Sequence, residues 1–187
     1  DGAIYLASNN AVGALTTGIV RRGRLGTNGT RVWETVMRTE PYPRSNTPYD
    51  HSLSALVVSP DGQWLYVNSG SRTDHGEAQS NGSAFPGVRE VPLTSAILRV
   101  RANATDLLLR NDEAFLREGG FLFADGVRNA FDLAFDAEGR LFGTENAGDR
   151  DDPEELNWLR QGRHYGFPWR MGLTNTPMQF PGYDPAQ

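Results

Sequence analysis

An all-β fold, arranged as a β-propeller, is predicted by three features of the 187-residue sequence. A turn unit that combines an acidic residue, a glycine and nearby apolar or aromatic residues occurs at Asp1-Gly2, Asp61-Gly62 and Glu138-Gly139. These units lie roughly 60 and 75 residues apart, which suits propeller blades with long inserted loops. Short apolar alternations bounded by Gly, Pro, Asn and Asp are frequent, whereas helical periodicity is rare. Because one small sheet cannot bury both of its faces, such sheets are expected to stack around an axis.

The first half of the chain is predicted to contain strands at residues 3–8 and 18–22, where apolar residues follow turn signals. Three prolines keep the segment 40–49 extended and outside any central strand. His51 then stands at the start of the apolar strand 53–58. Loops at strand entrances near a propeller axis surround a shared cleft, so His51 is a candidate functional residue.

The middle of the chain is predicted to be a loop over 72–92, followed by a strand over 93–100. A short helix is expected at 112–117. A second helix is predicted at 153–161, because a proline and acidic residues begin this segment and Gly162 follows it.

A tight antiparallel hairpin is predicted where apolar residues alternate over 131–135 and 140–144 around a Glu-Gly turn. A loop rich in carboxylates follows, with Glu145, Asp149, Asp151, Asp152, Glu154 and Glu155. Such crowding is repulsive unless a cation lies nearby, and oxygen ligands favour calcium. A solvated loop without metal has the same composition, so both interpretations stay open.

Composition excludes some classes of function. The net charge of −5 and the absence of a Lys or Arg stripe argue against a nucleic-acid partner. No apolar stretch is long enough to predict a membrane span. Trp64, Trp158 and Trp169 are expected in the core. We expect residues 1–187 to form a single partial propeller domain of a longer chain, whose remaining blades would be its structural partners.

Several motifs together resemble the soluble PQQ-dependent glucose/sorbosone dehydrogenase family. The resemblance extends from about residue 50 to residue 168, and the motifs follow in the order that the family has. They are His51, the Pro60-Asp61-Gly62 turn, Gly70, Gly126-Val127-Arg128-Asn129, Glu145-Asn146, Glu155-Leu156-Asn157 and Tyr165-Gly166-Phe167-Pro168.

The resemblance implies a six-bladed β-propeller, of which this chain would cover roughly half. It also implies pyrroloquinoline quinone (PQQ) and calcium as cofactors, and a sugar or related alcohol as the hydride donor. His51 matches the general base, a role that suits an imidazole. Arg128 and Asn129 match the residues that contact the cofactor, and Arg128 would also stabilise negative charge on reduction. Arg72 matches a further cofactor contact.

The resemblance also implies two calcium sites. Ala147 and Gly148 match the two carbonyl donors at the active site, where the family usually has Gly-Pro. Asp152, Glu155 and Tyr165 lie near a second, structural site. The family's later cofactor-binding cationic residues would lie beyond Gln187. The expected location is periplasmic or secreted, and the electron acceptor is not identified by the sequence.

Two other functions remain open at this stage. One is a calcium-dependent propeller hydrolase such as a lactonase, in which Glu145, Asn146 and Asp149 would hold a metal that polarises a carbonyl. The other is a propeller that binds a partner without catalysis.

Overall fold

The structure is a computed structural model that describes residues 2–149 and 152–176. Strands dominate it, which confirms the all-β prediction. In chain order they are β1 (Ile4–Val12), β2 (Leu15–Leu25), β3 (Arg31–Thr39), β4 (Tyr42–Pro43), β5 (Leu53–Val58), β6 (Trp64–Ser69), β7 (Ala96–Arg101), β8 (Leu107–Leu109), β9 (Leu122–Asp125), β10 (Ala130–Phe135), β11 (Leu141–Glu145), β12 (Glu155–Leu159), β13 (Arg170–Met171) and β14 (Thr174–Asn175). One short helix, α1 (Glu113–Glu118), precedes β9.

Three sheets carry the architecture. The first has the order β1-β2-β3-β8 with β4 paired to β2, the second β5-β6-β7-β9, and the third β10-β11-β12. Strand β5 contacts both β1 and β10, so the first strands of the three sheets adjoin one another. This is the arrangement of successive blades in a β-propeller, as the sequence predicts. Strands β13 and β14 form a separate small hairpin.

The repeated acidic turns are confirmed where the structure describes them. Asp61 and Asp136 each accept hydrogen bonds from backbone N–H groups of their own turn. Gly62 and Gly139 have φ values of 71° and 77°, a conformation that favours glycine. Each turn therefore joins a pair of antiparallel strands, β5 to β6 and β10 to β11. Asp1, in the first unit, lies outside the described residues.

The core lies between adjacent blades. Leu65, Val67 and Leu98 of the second sheet pack with Val36 and Met37 of the first. Leu65 and Val67 share one face of β6 because side chains alternate along a strand, and Tyr66 between them belongs to the cluster on the other face. A second cluster lies between the second and third sheets and contains Tyr66, Ile97, Phe123, Leu133, Leu141 and Leu159.

The predicted helix over 153–161 is wrong, because residues 155–159 form the strand β12. Its residues alternate in burial and pair with β11 in register, with Leu159 opposite Leu141. Pairing and burial of Leu159 outweigh the helix-capping signals of the segment. The other predicted helix is confirmed as α1, whose N-cap Asp112 accepts a 3.0 Å hydrogen bond from the Phe115 N–H.

Other expectations have mixed outcomes. The strands predicted at 3–8 and 18–22 are confirmed as parts of β1 and β2, and 72–92 is a loop. Strand β3 was not predicted. The core assignment of Trp158 and Trp169 is wrong, since these side chains are 45% and 51% exposed. Trp158 lies on the outer face of β12, away from the buried Leu159. Within the described ranges, no helix has the length and apolarity of a membrane span.

Candidate active site

His51 is held where the loop before β5 meets the end of β6. Its backbone N–H donates to the Ser71 carbonyl at 3.0 Å, and the Gly70 N–H donates to the Ser52 carbonyl at 2.8 Å. A Cβ on Gly70 would lie only 2.5 Å from the His51 Cβ and 2.8 Å from the Asn129 Oδ1. Glycine is therefore needed at this position for His51 and Asn129 to approach the strand.

The imidazole of His51 is half-buried and lies near a guanidinium. Burial and the positive charge of Arg128 lower the pKa of His51 to about 4. Its Nδ1 lies 3.2 Å from the Ser71 Oγ and 3.3 Å from the Ser71 carbonyl oxygen. The ring is consequently neutral at neutral pH, which is the state that can accept a proton.

Arg128, in the turn between β9 and β10, is almost completely buried. Its Nε donates to the Asp74 carbonyl at 2.9 Å, and its Nη1 donates to the Asn146 carbonyl at 3.1 Å. Its Nη2 forms a 2.5 Å ion pair with the Asp74 Oδ1. These bonds use one N–H on each of the three guanidinium nitrogens, and the side-chain oxygen of Asn146, in the amide orientation that satisfies its hydrogen bonds, lies 3.3 Å from Nη1.

Asp74 joins the loops around the site. Besides its ion pair with Arg128, its carboxylate accepts from the Asp149 N–H at 3.0 Å and lies 3.1 Å from the His75 Nδ1. The Tyr49 hydroxyl in turn donates to the Asp149 Oδ2 at 2.8 Å. Loops that are far apart in sequence thus meet at one carboxylate beside His51.

Asn129 lies at the junction of the second and third sheets. Its Oδ1 accepts a 3.0 Å hydrogen bond from the Asn68 Nδ2, and its amide is 2.9 Å from that of Asn146. Asn68 also accepts from the Ala130 N–H at 3.2 Å. This polar network fixes Asn129 beside Arg128, so the structure brings His51, Arg128 and Asn129 together as expected from the sequence.

Arg72 is completely buried and faces the loop that follows it. Its guanidinium donates to the carbonyls of Val88 at 2.7 Å and of Arg44 at 3.3 Å, and also to the Gln79 carbonyl. These bonds hold the long loop 72–92 against the segment 40–49. A cofactor contact of Arg72 stays a prediction.

The segment Ala147-Gly148 follows β11 and runs past Asp74. A Cβ on Gly148 would lie 3.1 Å from the Asp74 Oδ1 and 2.9 Å from the His75 Nε2, so the backbone approaches both side chains closely. No backbone N–H in the described ranges forms a hydrogen bond to either carbonyl oxygen of this segment. A calcium-donor role of these two carbonyls stays a prediction.

The residues predicted for a second calcium site have separate contacts. The Tyr165 hydroxyl donates to the Trp158 carbonyl at 2.6 Å, and Asp152 accepts from the Thr174 hydroxyl at 3.3 Å. Glu155 accepts from the Gly172 N–H at 2.7 Å. Across 2–149 and 152–176, no group of three or more His, Asp or Glu side chains is arranged to hold a metal. Asp151, which belongs to the same acidic loop, lies outside these ranges.

Glu145 is the most unusual carboxyl group of the acidic loop. It is 2% exposed, and burial together with the neighbouring Glu155 raises its pKa well above the usual value. Asp149 instead binds the Tyr49 hydroxyl, and Asn146 approaches Asn129. The three residues considered for a hydrolase metal centre therefore have different neighbours.

Sequence reasoning missed Ser71 and the role of Asp74. Ser71 follows the glycine at the end of β6, and a small polar residue at that position opposite a candidate base is a signal that could have identified it. Asp74 could not be assigned in this way, because its contacts with Arg128 and Asp149 join residues that are 54 and 75 positions apart.

Comparison with known proteins places the chain in a family. No curated protein matches it significantly. One matching solved structure is the PQQ-bound form of the aldose sugar dehydrogenase of Streptomyces coelicolor, with 18% sequence identity and a TM-score of 0.49. That match covers 88% of this chain and 48% of the other, so this chain spans about half the length of that protein. The family Glucose / Sorbosone dehydrogenase matches residues 1–176, and the chain therefore belongs to the glucose/sorbosone dehydrogenase family.

Proposed function

We propose that this chain forms part of a PQQ-dependent oxidoreductase that oxidises sugars or related alcohols. The observation that carries the proposal is a neutral, half-buried imidazole, that of His51, beside the buried guanidinium of Arg128. Membership of the glucose/sorbosone dehydrogenase family supports this class of reaction.

His51 would act as the general base. Oxidation of an alcohol removes a proton from oxygen and a hydride from carbon, and the imidazole can take the proton because it is neutral at neutral pH. The positive charge of Arg128 nearby disfavours an imidazolium, so the proton would be passed on to solvent rather than retained.

Arg128 and Asn129 would hold the cofactor. A guanidinium fits an anionic, carboxylate-bearing ligand, and the Asp74 ion pair fixes the orientation of its plane. When bound, PQQ supplies the hydride acceptor. Arg128 would stabilise the negative charge that develops nearby.

Calcium is proposed as the second cofactor. The carbonyl oxygens of Ala147 and Gly148 would be its donors, because oxygen ligands of this kind suit calcium. Asp152, Glu155 and Tyr165 remain the proposed residues of a peripheral site. Glu155 is the best placed of them, because its carboxylate approaches the buried Glu145.

The proposal is tested by dye reduction with aldoses in the full-length protein, with and without added PQQ and calcium. Turnover that requires PQQ is expected. Hydrolysis of lactones in the absence of PQQ would instead favour the hydrolase, and inactivity under both conditions would favour a binding propeller.

A further inference from the structure

The hydrogen bonds around Ser71 favour one position for the proton of the neutral His51 ring. The Ser71 hydroxyl donates its proton to the Thr73 carbonyl at 2.7 Å. Its oxygen also lies 3.2 Å from the His51 Nδ1 and can only accept there, because its proton is already used.

The second neighbour of Nδ1 is also an acceptor. The Ser71 carbonyl oxygen lies 3.3 Å from Nδ1, and a carbonyl oxygen cannot donate. A neutral imidazole has one N–H, and two acceptors at Nδ1 favour the tautomer that places it there. In that tautomer the other nitrogen carries a lone pair instead of a proton.

Ser71 is itself firmly held. Its side chain is completely buried, and its backbone N–H donates to the Arg128 carbonyl at 2.6 Å while its carbonyl accepts from the His51 N–H at 3.0 Å. Movement of the hydroxyl away from His51 would break the bond to Thr73 and bury an unpaired polar group.

We infer that Ser71 is a positioning residue that keeps the His51 proton on Nδ1 and leaves the Nε2 lone pair to accept a proton. The consequence for catalysis rests on the proposed oxidoreductase function, whereas the tautomer does not. The uncharged serine hydroxyl orients the base without adding a negative charge to that of the nearby Asp74.

The tautomer is measured directly by NMR of the protein labelled with ¹⁵N-histidine, at a pH where His51 is neutral. The His51 resonances are assigned by their loss in a His51→Gln variant. We expect protonated Nδ1 and unprotonated Nε2. A ring protonated on Nε2 would overturn the inference, and the Tyr49 carbonyl, which also lies near the imidazole, is an acceptor that could favour that form. PQQ-dependent turnover tests the proposed function separately.

Two serine variants separate positioning from general packing. Ser71→Ala should make the Nε2-protonated form detectable and lower kcat by about three- to tenfold with little change in KM, as expected for one hydrogen bond. Ser71→Thr, which keeps the hydroxyl, should restore the Nδ1 tautomer.

Ser69→Ala is the matched control, since Ser69, two residues earlier at the end of β6, is equally buried but donates to the Leu93 carbonyl. It should leave the His51 tautomer unchanged. An unchanged tautomer in Ser71→Ala, or the same shift in Ser69→Ala, would contradict the assignment.

Discussion

Replacement of His51 by glutamine should change how the stability of the protein depends on pH. In the folded protein the pKa of His51 falls from the ordinary 6.5 to about 4, because the ring is buried beside Arg128. Asp74 and the carbonyls of Ser71 and Tyr49 oppose this effect without cancelling it. Between these two pH values the unfolded chain has the protonated imidazole and the folded chain has the neutral one.

The sign and size follow from proton linkage. Unfolding takes up a proton in this window, so the stability contributed by the neutral ring is complete above about pH 6.5 and is lost as the pH falls towards 4. The pKa difference is about 2.5 pH units, and each unit corresponds to about 1.4 kcal/mol. His51 should therefore cost the folded protein roughly 3 kcal/mol between pH 6.5 and 4.

Urea unfolding followed by tryptophan fluorescence measures this effect at several pH values. The free energy of unfolding should fall more steeply on acidification in wild type than in His51→Gln. The contributions of the carboxyl groups to this pH dependence are present in both proteins and cancel in the difference. Between pH 7 and 8 the two curves should be parallel, because the ring is neutral in both states. Parallel curves from pH 6.5 to 4 would refute the claim that the pKa of His51 is lowered in the folded protein.

Three further outcomes are expected. Asp74→Ala should reduce the free energy of unfolding by about 3–5 kcal/mol in urea denaturation, because it leaves the buried Arg128 without its ion-pair partner. Gly70→Ala should cost about 1–3 kcal/mol in the same assay and lower turnover, since its Cβ would displace His51. Calcium should raise the melting temperature, by an amount equivalent to about 2.7 kcal/mol at one hundred times its dissociation constant, and Glu155→Gln should reduce this increase.

Each of these outcomes has a control or a contradicting result. Arg38→Ala removes an exposed ion pair with Asp106 and should cost much less than Asp74→Ala. A Gly70→Ala protein with wild-type turnover would show that the close approach to His51 does not matter. A melting temperature that is the same in calcium and in a chelator would contradict the calcium proposal.

Local sequence signals predicted much of the fold. The acidic turns at Asp61-Gly62 and Asp136 to Gly139 fixed two hairpins, because the carboxylate and the glycine act within a few residues. The segment 155–159 was predicted to be helical but forms the strand β12. Its capping signals are also local, but the pairing with β11 that decides its structure is not visible in the segment itself.

The site was predictable only in part. His51, Arg128 and Asn129 could be identified because they belong to motifs that resemble a family. The contacts of Asp74 with Arg128, and of Ser71 with His51, depend on how separate loops meet. The acidic loop was considered as a cation site only because of its composition. Asp149 and Glu155 have separate partners in the folded chain, so a high local charge does not by itself show a shared metal centre.

The most direct test of the central claim is the turnover of an aldose by the full-length protein loaded with PQQ and calcium, compared between wild type and His51→Ala. If His51 is the general base, kcat should fall by about 10²- to 10⁴-fold while PQQ binding is retained. A folded His51→Ala protein that binds PQQ and oxidises the sugar at the wild-type rate would contradict the account.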